Sequence, residues 1–149
     1  MDWEASARQA LHDFARAFEQ RDLDALGRMF VHDDGLLFYG THDKLHFTSW
    51  PDLEDSFMKQ FQFLSDLKCA ITSDIHVRLS ARGAVACAAT PGFSVRAMMG
   101  DVPFDLPAVR LTCTMERTED RWQFVQMHLS VSDRPFVEST KHVINSYFK

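Results

Sequence analysis

Positive charge is in short supply. The chain carries 16 Lys and Arg against 21 Asp and Glu, a formal net charge of −5. A nucleic-acid backbone calls for a basic face, so nucleic acid is not an expected partner. Long apolar runs are also missing. None approaches the roughly 20 residues that cross a bilayer, so no membrane contact is expected. The opening MDWEASARQ has no basic stretch leading into an apolar one, and no signal peptide is expected. Cysteine is scarce and odd in number: Cys69, Cys87 and Cys113, without CxxC spacing. Each lies in an apolar stretch, so all three are expected to be buried free thiols of a cytoplasmic protein. No Gly-rich phosphate loop occurs. No Cys–His or Ser–His–Asp set can be assembled, because the cysteines have no neighbour to lower their pKa. No cofactor is expected.

What is present is apolar and aromatic. Of 149 residues, 46% are hydrophobic and thirteen are Phe. That is enough for one globular domain with an aromatic interior. Trp3, Ala7, Leu11, Phe14 and Phe18 recur at helical spacing. Asp22 can cap a short second helix that turns Leu23, Leu26, Met29 and Phe30 inward. A short strand follows at Leu36–Tyr39. In "SWPD", Ser49 suits an N-cap, Pro51 the first turn and Asp52 the helix dipole, opening a helix to about Leu64.

The period then changes to two. One long strand is expected from Leu67 to Leu79, and a second from Ala84 to Ala97 with a bulge or edge at Pro91–Gly92. Strands at Leu106–Arg117 and Trp122–Ser132 close the pattern. Helices first and antiparallel strands after them indicate a single α+β domain over residues 1–132. Residues 133–149 form a C-terminal extension, read as helical and packing on the domain or its partner.

The stretches AFEQRDLDALGRMFVHDDGLLFYG and LPAVRLTCTMERTEDRWQFVQMHLSVS carry a resemblance. Their most specific part is Trp122, Val125, His128 and Ser130 in a Trp-x-x-Val-x-x-His-x-Ser pattern. From about Ala10 to Ser132 the chain resembles the SnoaL-like branch of the nuclear transport factor 2 superfamily. The resemblance implies a cone: a strongly bent antiparallel sheet wrapped around about three helices, with an apolar pocket at the wide end. It also implies dimerisation through the outer face of the sheet. It does not imply one activity, because the scaffold serves isomerases, dehydratases, epoxide hydrolases, kinase association domains and non-enzymatic binders.

Face assignment follows from the hairpin. With a turn at "TED" that pairs Arg117 with Arg121, Arg110 lies opposite His128. One face then holds Val109, Leu111, Cys113, Met115, Val125, Met127 and Leu129, and is expected to look inward. The other holds Arg110, Trp122, Phe124, Gln126 and His128. Aromatics among polar groups suit an interface centre, so these five are the expected dimer surface. His128 is read as structural there.

Catalytic groups are sparse. In "HDKLH", His42 and His46 flank Asp43 at i,i+4, but in a loop without a third ligand, so no metal site is expected. The ketosteroid isomerases of the superfamily use a tyrosine, an aspartate base and a second acid. Their positions fall here on Phe14, at or beside Tyr39, and on Ala108–Met115, which has no carboxylate. The pocket arginines of the kinase-association relatives fall on Cys113 and Leu129.

The expected function is therefore a homodimer binding a small hydrophobic molecule, aromatic or polyketide-like. Its pocket is expected to be lined by Phe14, Tyr39, Trp50, Phe57, Leu111, Cys113, Met115, Met127 and Leu129. Two alternatives stay open. One is an isomerase, dehydratase or cyclase acting on a polyketide- or steroid-like substrate through Tyr39 and His42, His46 or Asp101. The other is an assembly domain whose pocket is vestigial.

Overall fold

A computed structural model describes residues 1–147. Helix α1 (Trp3–Glu19) is capped by Asp2, whose carboxylate accepts from the Ala5 N–H. Helix α2 (Leu23–Met29) is capped in the same way by Asp22, bonded to Ala25. Helix α3 (Trp50–Phe63) starts at Ser49, whose hydroxyl accepts from the Asp52 N–H, with Pro51 in its first turn. These caps satisfy backbone donors that the helices leave open. Helices α1 and α3 each bury aromatic side chains: Phe14 and Phe18 from α1, Trp50 and Phe57 from α3.

Seven strands form one curved, unclosed sheet: β1 (Leu37–Tyr39), β2 (His46–Phe47), β3 (Leu64–Ile71), β4 (His76–Leu79), β5 (Val85–Met99), β6 (Val102–Thr118) and β7 (Arg121–Ser130). Their order is β2-β1-β7-β6-β5-β3, with β4 also on β5. The fold is α+β, as expected, with two differences in the sheet. It is mixed, because β1 runs parallel to β7, pairing Phe38 with Met127 and Tyr39 with His128. The long strand expected at Leu67–Leu79 is two, β3 and β4, separated where Thr72 leaves the ladder to bond Gly92.

That break is built around Gly92. The Thr72 N–H donates to the Gly92 carbonyl at 2.7 Å, and the Thr72 hydroxyl donates to the same oxygen at 3.2 Å. A Cβ on Gly92 would lie 2.6 Å from the Ser73 Cβ and 3.0 Å from its backbone nitrogen. Only glycine admits this approach. The bulge expected at Pro91–Gly92 is present as register shifts between Thr90 and Val95. Together with shifts in β3 and β7, it bends the sheet around the helices.

The core is aromatic. The Phe14 ring lies 5.9–6.3 Å from those of Phe18, Phe30, Phe93 and Phe124. Phe30 continues the cluster to Phe38, Trp50 and Phe57. Helix α4 (Arg134–Tyr147) follows a three-residue link, and its apolar Phe136, Val143 and Ile144 are exposed. No described helix is long and apolar enough to cross a membrane.

Candidate functional site

Between the helices and the inner face of the sheet lies a cavity of about 420 Å³. Helix α1 supplies Phe14 and Phe18, and α3 supplies Phe57, Gln60 and Phe63. Strand β5 contributes Phe93, Val95 and Met99; β6 contributes Phe104, Leu106 and Val109; β7 contributes Leu129. The loop after β1 closes one side with Gly40, Thr41, His42 and Leu45. This wall is apolar apart from Thr41, His42 and Gln60.

The loop is held by its own tight geometry. The Gly40 N–H donates to the Leu45 carbonyl at 2.6 Å. A Cβ on Gly40 would meet the Leu45 Cβ at 2.7 Å, so the small residue sets how closely the loop folds back. That brings Thr41 and His42 to the cavity. His42 Nδ1 lies 2.8 Å from Asp43 Oδ1 and 3.1 Å from the Lys44 N–H. One ring nitrogen cannot donate to the carboxylate and accept from the amide together, so Asp43 holds the ring only when Nδ1 is protonated. The Gln60 side-chain N–H donates to Ser56 Oγ at 3.2 Å.

Of the residues expected in the pocket wall, Phe14, Phe57 and Leu129 line the cavity. Leu111, Cys113, Met115 and Met127 do point inward, but they are packed solid beneath it, 0–3% exposed. Burial pushes the Cys113 thiol up to about 12, which removes it from nucleophilic chemistry. Cys69 is likewise buried and raised to about 12, by desolvation first and the nearby Glu19 carboxylate second. Cys87 corrects the expectation of three buried thiols: it stands exposed on the outer face.

Trp50 is also displaced from its expected role. Its ring is buried, stacked on Phe30 at 5.8 Å and on His32 at 5.2 Å, and it is not part of the cavity wall. Tyr39 is 50% exposed. It stands beside His128, ring centroids 5.6 Å apart, and 6.4 Å from His46. The parallel β1–β7 pairing puts it on the outer face, so it cannot act in the pocket.

The outer face itself needs a further correction. His128 pairs with Thr112, Gln126 with Thr114, and Arg110 with Ser130. These side chains look outward as expected, two residues out of the expected register. Trp122 and Phe124 do not. The turn holds only Glu119 and Asp120, with φ 57° at Glu119. Thr114 pairs with Gln126 while Met115 pairs with Phe124, so Val125 is an extra residue in β7. This bulge reverses the faces across it. Trp122 and Phe124 become core residues, 6% and 1% exposed. The Trp122 indole N–H donates to the Trp3 carbonyl at 3.1 Å, its ring stands edge-on to Trp3, and Arg117 covers the Trp3 ring at 4.3 Å.

Sequence reasoning missed the wall supplied by Phe93, Val95, Met99 and Leu106. A signal was available in part. Asp101, offered above as a catalytic residue, lies in the stretch Met99–Asp105, which brings Met99 and Phe104 there. Asp101 itself sits in the exposed β5–β6 turn, and His46 is exposed on β2. Among the described residues no three His, Cys, Asp or Glu side chains converge as a metal site would require.

The SnoaL-like domain family matches residues 7–134. The chain belongs to this SnoaL-like family. No curated protein matches it. Solved structures show the same fold at low identity. A nuclear transport factor 2-like superfamily protein from Salmonella enterica serovar Typhimurium LT2 has a TM-score of 0.75 at 12% identity, covering 89% of this chain and 92% of its own. A provisionally assigned scytalone dehydratase from Novosphingobium aromaticivorans gives 0.74 at 11%, covering 87% and 83%. A provisionally assigned calcium/calmodulin-dependent protein kinase type II association domain from Thiobacillus denitrificans gives 0.67 at 19%, covering 86% and 96%. So wide a spread of assignments on one scaffold leaves the activity of this SnoaL-like chain to its own side chains.

Proposed function

We propose that this SnoaL-like protein is a homodimer that binds a small hydrophobic molecule, aromatic or polyketide-like, in its apolar cavity. The cavity carries the reading. Its volume of about 420 Å³ falls within the roughly 300–1,000 Å³ typical of small-molecule sites, and few polar groups interrupt its apolar wall. An open space of this size counts against a vestigial pocket filled by its own aromatics. The test is a cavity-filling variant. Leu106 is a half-buried part of the wall, so Leu106→Trp should fold normally and lose binding of a neutral apolar dye such as Nile red. A stable variant with unaltered dye affinity refutes the cavity as the site.

Dimerisation is assigned to the outer face around Thr112, Gln126, His128 and Arg110. Support comes from the exposed Tyr39–His128 aromatic pair, since exposed aromatics within a polar surface suit an interface. Thr112→Arg should shift the protein toward monomer in sedimentation, with folding retained. An unchanged sedimentation coefficient refutes the surface.

One observation favours a second reading, an isomerase or dehydratase. Among the described residues His42 is the single titratable side chain in the cavity wall, and Asp43 stands ready to orient it. A histidine so placed could move a proton to or from a bound substrate. Loss of turnover in His42→Gln, with dye binding intact, would establish this reading over simple binding.

A further inference from the structure

Two of the apolar surfaces left facing solvent are joined by a short stretch of chain. The first is the mouth of the cavity, where Phe63, Met99 and Val131 line the space yet remain 50%, 42% and 39% exposed. The second is a stripe along α4. Phe136, Val143 and Ile144 are 61%, 59% and 43% exposed, and with Thr140 they follow the i, i+4, i+7, i+8 spacing of a helix that packs on something. The opposite side carries Glu138 and Lys141, paired to each other at 3.4 Å. No described residue of α4 lines the cavity.

The link between these surfaces is very short. Val131 is a wall residue, and the Asp133 carboxylate already caps α4 through the Phe136 N–H at 3.2 Å. Only Val131 and Ser132 are left as a swivel. Three extended residues span about 11 Å and two helical steps about 5 Å more, so Phe136 stays within roughly 16 Å of Val131 at any swivel angle. So short a tether gives the stripe a far higher effective concentration at its own mouth than at another molecule's.

We infer that α4 is the cover of this cavity: its Phe136–Ile144 stripe docks on the Phe63–Met99–Val131 rim, enclosing a bound ligand and excluding water from it. The inference rests on the cavity being the binding site, and it specifies the ligand further. The stripe adds no charged side chain to the wall, so the enclosed molecule is neutral over the part the cover touches.

The test uses the full-length protein and Nile red. Amide hydrogen exchange in α4 is measured with and without dye, and dye dissociation is timed by stopped flow. Dye should slow exchange in α4 by about tenfold or more. Phe136→Asp with Ile144→Asp should abolish that protection and speed dissociation about tenfold, because a lid acts mainly on the off-rate. Glu138→Lys, on the far side of the helix, should change neither. Bound dye that protects β5 and β6 while α4 exchanges as before overturns the inference. So does protection of α4 that rises with protein concentration, which would place the stripe on a second copy. Should no dye bind at all, the binding reading fails, and the cover is judged in the free protein. There Phe63→Asp with Met99→Asp must speed α4 exchange; equal exchange in variant and wild type overturns it.

Discussion

Trp122→Ala tests the bulge in β7 directly. If Trp122 lay on the outer sheet face, its loss would weaken a dimer and leave the fold intact. The bulge at Val125 makes the opposite outcome the expected one. Trp122 is 6% exposed, and a buried Trp removes about 200 Å² from water. At about 25 cal/mol per Å², that is roughly 5 kcal/mol of transfer free energy. Relaxation around the hole returns part of it. The lost bond to the Trp3 carbonyl adds about 1 kcal/mol, because that oxygen sits in a half-buried place. The net cost is about 4 kcal/mol, within the range of about 3–5 for aromatic truncations. For a chain of this length it lowers Tm by roughly 10 °C or more. Trp122→Phe keeps most of the ring and loses only the N–H donor, so it should cost about 1–2 kcal/mol. Urea unfolding followed by circular dichroism gives both values, and sedimentation gives the oligomeric state. A Trp122→Ala protein of wild-type stability but altered assembly would mean that β7 has no bulge and that its faces run unbroken.

Two further outcomes follow from the same packing. Gly92→Ala places a methyl group against the Ser73 side chain and backbone, and it should cost about 2–4 kcal/mol in urea unfolding; a loss under about 0.5 kcal/mol refutes the close approach. The thiols Cys69 and Cys113 are each held up at about 12. Between pH 9 and 12 their unfolded forms lose protons that the folded forms keep, so stability falls as pH rises, by up to about 1.4 kcal/mol per pH unit per thiol. Cys69→Ala with Cys113→Ala should flatten that slope, and a slope unchanged in the variant would show that neither thiol is buried as described. In the native protein a thiol reagent at pH 8 should modify the exposed Cys87 alone.

Much of the architecture is written in local patterns. The caps at Asp22 and Ser49, the aromatic stripes of α1 and α3 and the interruption at Pro91–Gly92 can all be read from neighbouring residues. The bulge at Val125 cannot. Apolar side chains stand at Trp122, Phe124, Val125, Met127 and Leu129, so either phase of a period of two fits half the strand. Only packing against Trp3, more than a hundred residues away, decides it. The same holds for β1, which is too short to announce a parallel partner. The pocket was legible only in part for a different reason. Which way a strand residue points is a local property. Whether it meets a neighbour or an empty space depends on how far the sheet has curled away from α1 and α3. Cys113 and Leu129 both point inward, yet one is packed and the other borders the cavity.

The parallel pairing of β1 with β7 has a consequence for synthesis. Phe38 meets Met127, and Phe14 and Phe30 close against Phe124, so the first third of the chain depends on the last strand. A ribosome delivers those partners last, and contacts this distant in sequence also form slowly. Until β7 emerges, Phe30 and Phe38 lack the strand that covers them, and Phe14 has Phe93 of β5 but not Phe124. The nascent chain is therefore most open to aggregation just before the domain is complete, and a chaperone that shields aromatic segments would act on it at that stage.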